Sequence, residues 1–539
     1  MEILSQMSQS SVANSNTRSG VDFGTELGRD PVYLNGKVRN SEAFARAMLL
    51  LGNVVRSTAE VAKKDHSEYQ KWVTAKYWEE MPEEEIKRLD KIAELKRQLD
   101  SERDQRAIIN VEITKLEVNL IGTGSEIRKF WNWLFDKDRQ MWIVLDPVVS
   151  VQEKATYFEA FSLDETVYVL VTLPHSELET ADAPVMGTTN IDFGVLLERE
   201  FARVRSYRPL ELSVGKAAVS VSTEVSSAVE KKIDLPDSWI EGLVQVSAAQ
   251  CMTGVQFDLS SRFLGQVIAQ LESKREKTGP RSLNFQLTPN EPIAVVIQPW
   301  GDVFIDETSI YQGSESQEIR MWGRRRLSLL RSLIPTSEKV GVTLLGDGMP
   351  SFWEIFDGQV STTVGLSGWS SLDWSKKAHF AALLPKSSVS AEVREQVLGT
   401  LKSSGSIDPK ELGFAMNMKP SEALSVLQDL AFQGKAMYLP KVKRFSYREL
   451  VPGWVPDQTR GLEERKGIEL FEGKKVQQLN QEFAEGRSKI NALVDGEKKV
   501  LIERDLDNRI TQAQCSCSYF SFNKLRQGPC RHIVAVSLV

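Results

Sequence analysis

Four side chains near the C-terminus have the types and spacing of a zinc site. The segment reads Cys515-Ser-Cys517, then twelve residues, then Cys530-Arg-His532. Three thiolates and one imidazole complete a tetrahedral shell, which is typical of structural zinc because no coordination position stays open for water. The sequence therefore predicts one structural Zn²⁺ held by Cys515, Cys517, Cys530 and His532. Its binding would supply much of the local folding free energy, about 10–16 kcal/mol in small zinc modules.

The distribution of cysteines favours metal over the other chemistries of thiols. The chain has four cysteines, and Cys251 is far in sequence from the other three. A disulfide framework would spread its cysteines along a smaller, secreted protein. Cys-Ser-Cys also lacks the two-residue spacer of dithiol redox motifs, and redox chemistry gives the Cys-Arg-His pair no role.

Composition and charge limit the function classes. The chain has 539 residues, of which 41% are hydrophobic and 26% charged, as in soluble globular proteins of several domains. The net charge of −6 implies that any contact with nucleic acid is local. No apolar run is long enough to span a bilayer, and residues 1–20 are polar without the order of a signal peptide. We therefore expect a cytoplasmic protein with a disordered leader over 1–20 and no membrane contact.

Two long helices are predicted within residues 21–130. Apolar residues recur three or four positions apart between 41 and 80, and Pro82 then begins a second helix. The second helix carries a seven-residue repeat formed by Ile92, Leu99, Ile113 and Leu120, with Leu95, Ile109 and Leu116 three positions on. An antiparallel coiled-coil hairpin fits this pattern, either as a packing stalk or as an arm that docks a partner.

The rest of the chain predicts an α+β multidomain protein. Residues 131–385 form a central mixed α/β body, with strands at Val144–Val151, Thr156–Phe161 and Val167–Leu173 and helices at Ser261–Lys274 and Gly323–Leu333. Residues 386–450 read as three helices and a two-stranded wing, the order of a winged helix. Residues 451–539 are assigned to the C-terminal zinc-binding domain, whose last 50 residues are strand-like at Lys489–Val494, Lys499–Glu503 and Ile510–Gln514 before the cysteines.

The C-terminal pattern resembles the SWIM zinc finger. The resemblance lies in the order Cys-x-Cys, loop, Cys-x-His. It extends to the strand-rich segment Asp505–Gln514 before the first cysteine and to the ending Cys-Arg-His-Ile-Val-Ala. Segments farther upstream resemble full-length bacterial SWIM proteins: Gly187-Thr-Thr-Asn-Ile-Asp-Phe193, Leu345-Gly-Asp-Gly-Met-Pro-Ser-Phe352 and Val364-Gly-Leu-Ser-Gly-Trp369.

This resemblance implies a binding role. SWIM modules are regarded as elements that bind DNA or protein, and the full-length bacterial members resemble components found beside MoxR-type AAA+ ATPases and von Willebrand A-domain proteins. The resemblance therefore implies a non-catalytic adaptor or recognition subunit working with such partners. No nucleophile elbow, Walker pair or protease signature is present, so the sequence gives no case for an enzyme.

DNA binding is the alternative, and it depends on basic residues near the finger and the wing. Lys524, Arg526 and Arg531 lie where the sequence has no acidic residue between Cys515 and His532, and the wing contributes Lys441, Lys443 and Arg444. Such residues could contact a nucleic-acid backbone. The predicted recognition helix, however, carries Glu422 and Asp429 and no set of side chains that reads bases, so a protein partner fits it at least as well.

Three further features have a structural and a functional interpretation. The arginines Arg324, Arg325 and Arg326 could grip phosphates or an acidic partner, but a solvated helix face is the commoner role of such a run. Gly346-Asp-Gly348 lacks the lysine of a phosphate loop, which favours a β-turn. The histidines His66, His175 and His379 are isolated in sequence, and a lone histidine is more often a surface or satisfied core residue than a catalyst.

Overall fold

The computed structural model describes residues 32–57 and 147–539, except for 181, 191–192, 194, 208–209, 216–218, 223–226, 231–236, 277–280, 369–372, 376–379, 385–388, 441, 451–461, 485–486, 506–509 and 527. The predicted leader, the second helix of the predicted hairpin, and His66, Trp369, His379 and Lys441 lie outside these residues.

The described part of the chain is rich in both strands and helices. The strands are β1 (Leu34–Val38), β2 (Val148–Val151), β3 (Ala155–Phe161), β4 (Val167–Pro174), β5 (Leu178–Glu179), β6 (Gly187–Asn190), β7 (Leu210–Val214), β8 (Val219–Ser222), β9 (Ser227–Glu230), β10 (Val255–Ser260), β11 (Ser282–Leu287), β12 (Pro292–Ile297), β13 (Asp302–Ile310), β14 (Gln317–Trp322), β15 (Lys339–Leu344), β16 (Ser351–Asp357), β17 (Val360–Leu366), β18 (Ser406–Ile407), β19 (Ala436–Leu439), β20 (Arg444–Tyr447), β21 (Val476–Ala484), β22 (Arg487–Val494), β23 (Lys498–Arg504) and β24 (Ile510–Cys515). The α-helices are α1 (Ser41–Arg56), α2 (Val195–Arg203), α3 (Asp237–Cys251), α4 (Ser261–Ser273), α5 (Ala391–Ser404), α6 (Pro409–Met416), α7 (Pro420–Phe432), α8 (Leu462–Glu472), α9 (Ser518–Asn523) and α10 (Arg531–Ser537). Short 3-10 helices occupy His175–Glu177, Arg324–Ser332, Ile334–Thr336 and Phe380–Leu383.

An antiparallel sheet of eight strands forms the centre of the body, in the order β10-β15-β16-β17-β4-β3-β2-β6. Helix α1 packs against β3, β4 and β17. Its buried residues Phe44, Met48, Leu51 and Val55 follow the spacing that brings one face of a helix onto a sheet. Asn40 caps the helix by accepting a hydrogen bond from the backbone N–H of Ala43 at 3.2 Å.

Further antiparallel sheets surround this one. Their strand orders are β13-β12-β11-β14, β5-β1-β7-β8-β9, β18-β20-β19 and β21-β22-β23-β24. Aromatic packing joins the first of them to the central sheet, because the ring of Phe285 lies 6.2 Å from that of the fully buried Trp353. The mixed α/β architecture of several sheets is thus confirmed.

Residues 391–447 contain α5, α6, α7 and the hairpin β19–β20 in the element order predicted from sequence, together with the short strand β18, which was not predicted. Pro409 and Pro420 each stand in the first turn of a helix, and Asp408 and Glu411 form a capping box on α6. Helix α7 packs against α3 of the body as well as against α5, α6 and β19. Among the described helices, none is both long and apolar enough to cross a lipid bilayer.

Candidate metal centre

Two short helices and the last strand of the C-terminal sheet position the four predicted ligands. Cys515 ends β24, opposite the buried Val500 of β23. Two residues later Cys517 is the N-cap of α9, and its Sγ accepts a hydrogen bond from the backbone N–H of Phe520 at 3.4 Å. Cys530 is the N-cap of α10, so His532 follows within the first helical turn.

These elements bring all four ligand atoms together. The three sulfur atoms and one ring nitrogen lie within 4.8 Å of one another, and Cys515 Sγ is 3.7 Å from His532 Nδ1. Zinc bonds of about 2.0–2.3 Å in a tetrahedron separate neighbouring ligand atoms by about 3.5–3.8 Å, so the donor set fits zinc in both kind and spacing. Cys515, Cys517, Cys530 and His532 are therefore positioned to bind a zinc ion, which when bound would cross-link β24 to the start of α10.

The three thiols also perturb one another. Hydrogen bonds from the other cysteines, Cys515 first, lower the pKa of Cys517, so one thiolate forms readily. The hydrogen bond with Cys517 raises the pKa of Cys515 to about 11, and the pKa of Cys530 is raised by its hydrogen bonds with Cys515 and Cys517. Three neighbouring thiols cannot all ionise without a cation, so metal binding must release protons.

Helix α10 forms the apolar wall behind the site. Ile533, Val534, Ala535 and Val536 are all at most 1% exposed, and the helix packs against α8, β23 and the 3-10 turn Phe380–Leu383. Gly467 of α8 makes this approach possible, because a Cβ at that position would lie 2.5 Å from Val534 Cβ. The two helices are therefore closer than any residue with a side chain at 467 would allow.

An ion pair fixes the start of α10. Glu463 of α8, 8% exposed, accepts hydrogen bonds from Arg531 Nη2 at 2.5 Å, from Arg531 Nε at 3.1 Å and from the backbone N–H of Arg531 at 2.9 Å. Hydrogen bonding to Glu463 raises the pKa of Arg531. Arg531, predicted as a contact for nucleic acid or a partner, therefore holds the Cys530–His532 turn in place.

The other two basic residues of the finger differ in exposure. Lys524 is exposed, and its ammonium lies 5.2 Å from the centre of the Phe520 ring. Arg526 is half-buried and lies over Gly348 of the central body, where a Cβ would meet Arg526 Nε at 2.8 Å. Of the three predicted contacts in the finger, Lys524 alone has the exposure that a nucleic-acid contact needs.

The basic residues of the β19–β20 hairpin also differ in exposure and bonding. Lys443 is exposed at the hairpin turn, with a left-handed φ of 51°. Arg444 is bound by Glu411, with Nη1–Oε1 and Nη2–Oε2 distances of 2.9 and 2.6 Å, and donates to the backbone carbonyl of Ser406 at 2.8 Å. Arg444 therefore ties the β19–β20 hairpin to α6.

The arginine cluster is a structural element of the body, which corrects both the phosphate-grip and the solvated-face interpretations for two of its members. Arg324 and Arg326 are 1% and 6% exposed. Arg324 lies over the Trp300 ring at 4.8 Å and donates to the carbonyl of Ser282, whereas Arg326 donates to the carbonyls of Thr166 and Ser367. Burial lowers the pKa of Arg326 to about 10. Each planar guanidinium thus donates hydrogen bonds to buried backbone carbonyls within the fold.

Arg325 is bound as well, although its side chain is 43% exposed. It pairs with Glu276, with an Nη2–Oε2 distance of 2.5 Å, and donates to the carbonyl of Leu271 at 2.7 Å.

The Gly346–Gly348 segment is a turn between β15 and β16. Met349 N donates to Gly346 O at 3.1 Å, Gly348 N donates to Arg320 O at 2.9 Å, and Asp347 accepts from Arg320 N at 2.8 Å. These backbone donors are thus used within the fold. His175, the described one of the three isolated histidines, lies between the carbonyl of Glu153 and the hydroxyl of Thr156, each at 3.0 Å.

Sequence reasoning missed the residues that support the site from α8. Glu463 and Gly467 are four positions apart, on one face of a helix that the sequence analysis of 451–539 did not predict. The run Leu462-Glu-Glu-Arg-Lys-Gly-Ile-Glu-Leu-Phe-Glu472 is rich in helix formers, which was the available signal.

Comparison with known proteins gives a match at the C-terminus. A search of curated proteins finds no match to the chain. Among solved structures, it is similar to the proliferating cellular nuclear antigen of Entamoeba histolytica (12% identity, 41% of this chain and 89% of that one, TM-score 0.30). It is also similar to the PCNA2–PCNA3 complex of Sulfolobus tokodaii (9% identity, 41% and 89%, TM-score 0.32). The family description for the SWIM zinc finger matches residues 494–539, which contain the four residues positioned to bind zinc.

Proposed function

We propose that this chain is a non-catalytic, zinc-stabilised adaptor that recognises other proteins. Its four-ligand centre has no coordination position left for a reacting water, so the metal would act through folding rather than hydrolysis. By family resemblance, the partners would be a MoxR-type AAA+ ATPase and a von Willebrand A-domain protein, and the site of action the cytoplasm.

The burial of helix α7 is the observation that carries this choice. We assign residues 386–450 as a winged helix, in which α7 would be the helix that enters a DNA groove. Seven of its thirteen residues are buried, and the three exposed ones, Pro420, Ser421 and Glu422, lie at its N-terminus. Its other acidic residue, Asp429, pairs with Arg394 at 2.7 Å. A helix held against α3 in this way has no free basic face to place beside phosphates.

Affinity purification of the full-length protein with mass spectrometry tests the proposal. We expect an ATPase to co-purify, and to remain bound in high salt and after nuclease treatment. A Cys530→Ser variant should lose the partner if recognition depends on the zinc-stabilised fold, whereas Cys251→Ser should keep it. Loss of every partner on nuclease treatment would contradict the proposal.

DNA binding is the second candidate, and the exposure of Lys524 and Lys443 favours it. Because backbone contacts release counterions, such binding should weaken steeply with salt. A Lys524→Glu, Lys443→Glu double variant should abolish it. An Arg531→Glu variant is unsuitable as a test, since it would break the ion pair with Glu463 and disturb the metal centre itself.

A further inference from the structure

A groove lies on the face of the eight-stranded sheet that carries Gly341, Glu354 and Thr363. It encloses about 390 Å³, and its wall is the turn of the β19–β20 hairpin, with Leu439, Pro440, Val442 and Lys443. Its floor comes from strands β10, β15, β16, β17 and β4. The opposite side of the same strands is packed, with Val340, Trp353 and Val364 at 0% exposure. At the groove the first face is only partly covered, since Gly341, Glu354 and Thr363 are half-buried there.

One cross-strand row defines the chemistry of the floor. Asp258 lies opposite Gly341, Gly341 opposite Glu354, Glu354 opposite Thr363, and Thr363 opposite Leu170. Residues directly opposite one another in antiparallel strands point to the same face, so this row crosses the groove at right angles to the strands. Within the groove it begins with two carboxylates that flank a glycine and ends with the apolar Leu170, beyond which the row continues to the buried Glu159.

The glycine makes a recess between the two acidic residues. A Cβ atom at position 341 would lie 3.8 Å from Glu354 Cβ and 3.9 Å from Asp258 Oδ1. The Asp258 carboxylate thus leans toward the empty position. Asp258 has a distant counter-charge, Lys339 at 4.0 Å, and both side chains are more than 60% exposed, so this pairing is weak. The recess accordingly suits a cationic group.

The other end of the row suits an apolar group. Leu170 is 5% exposed at the base of the groove, and Leu439 and Val442 stand on the wall. Leu170 is three strands away from Gly341, which is about 14 Å at the usual spacing of about 4.8 Å between strands. An extended peptide covers that distance in about four residues. Lys443 on the wall disfavours a segment that is basic along its whole length.

We propose that this groove binds an extended segment of a partner protein that carries a lysine or arginine over Gly341 and an apolar side chain about four residues away, over Leu170. The inference rests on the proposed function, because it assigns the protein-recognition surface of an adaptor. The two carboxylates of the groove would orient the segment, and the apolar side chains of Leu170, Leu439 and Val442 would provide contact area.

A peptide array with the full-length, zinc-loaded protein tests the assignment. The probes are short acetylated peptides of glycine and serine that contain one arginine and one leucine at every separation, with a matched set in which glutamate replaces arginine. We expect binding to peak at a separation of about four residues and to be at least about tenfold weaker for the glutamate set. Equal binding of both sets, binding independent of separation, or no binding at all would overturn the proposal.

Variants of the groove provide the second readout. Gly341→Ile should fill the recess, and Asp258→Asn with Glu354→Gln should remove its charge; either change should weaken the best peptide at least about tenfold. Glu482→Gln with Asp495→Asn removes two exposed carboxylates elsewhere and should leave binding unchanged. Circular dichroism and zinc content report folding, and the Asn/Gln pair keeps the test valid if the isoleucine variant is unstable.

The two proposals can fail separately. If the ATPase co-purifies with the Gly341→Ile variant as well as with the unaltered protein, the groove is not the recognition surface, although the adaptor role stands. If the peptides bind as expected but no protein co-purifies, the groove assignment stands and the partner assignment falls.

Discussion

Arg448 and Glu159 form a buried ion pair that joins the end of the β19–β20 hairpin to strand β3 of the central sheet. Their side chains are 0% and 2% exposed, and the Nη1–Oε1 distance is 2.7 Å. The hydroxyl of Tyr168 donates to the same Oε1 at 2.7 Å, and burial raises the pKa of that hydroxyl, so it stays protonated. Residues 391–448 are thereby held on the body by a contact that cannot be hydrated without separating the two parts.

Breaking this pair from one side should destabilise the protein strongly. An Arg448→Met variant leaves the Glu159 carboxylate buried without its counter-charge, which costs about 3–5 kcal/mol. Urea unfolding followed by tryptophan fluorescence measures the loss. The double variant Arg448→Met, Glu159→Leu removes both charges and should recover much of the stability; a double variant as unstable as the single one would show that packing rather than charge is responsible.

Removing the metal should unfold the C-terminal module. We expect about one zinc ion per chain, and chelation should expose the apolar residues of α10, because metal binding and folding are linked. Elemental analysis gives the stoichiometry, and circular dichroism during chelation reports the unfolding. Cys517→Ser should behave like the chelated protein, whereas Cys251→Ser, outside the cluster, should retain full zinc. A protein that purifies without stoichiometric metal would contradict the assignment.

The Glu463–Arg531 contact should tune zinc affinity without supplying a ligand. Glu463→Gln removes the charge that holds the Cys530–His532 turn, and residues that orient metal ligands typically change affinity by about 10–100-fold. Competition with a chromophoric chelator measures this ratio. The matched control is Glu469→Gln, an exposed carboxylate on the same helix. Equal affinities for the two variants would show that the turn is fixed by packing alone.

Replacing Gly467 and Gly399 by alanine should change the stability of the protein in opposite directions. Gly467→Ala would place a methyl group 2.5 Å from Val534 Cβ. It should destabilise the module, because α8 and α10 are packed against each other at this point and cannot move apart without losing contacts. Gly399→Ala on α5 meets nothing within 4 Å and should stabilise the protein by about 0.5–1 kcal/mol, as alanine does within helices. Thermal unfolding of the two variants should therefore shift in opposite directions.

The metal ligands could be predicted from sequence because their chemistry depends on residue type and local spacing. The strands Thr156–Phe161 and Val167–Leu173 and the helices of 391–432 could be predicted for the same reason: their periodicity is local. The environment of Arg324 and Arg326 could not be predicted from sequence, since the carbonyls that accept their hydrogen bonds belong to residues up to 160 positions away. Nor did the pattern of α7 show that its outer face would pack against α3. Local pattern indicates what an element is, and long-range packing decides which of its faces remains available.

The docking of α7 has a quantitative consequence for any role that needs this helix in a DNA groove. The helix would first have to leave α3 and break the contact between Arg448 and Glu159. If that separation costs about 4 kcal/mol, roughly one molecule in a thousand is open at equilibrium, and the apparent affinity for DNA falls by the same factor. Part of the binding free energy of DNA would be used to separate α7 from α3, which weakens the observed affinity. A partner that binds the protein with α7 still packed against α3 has no such cost.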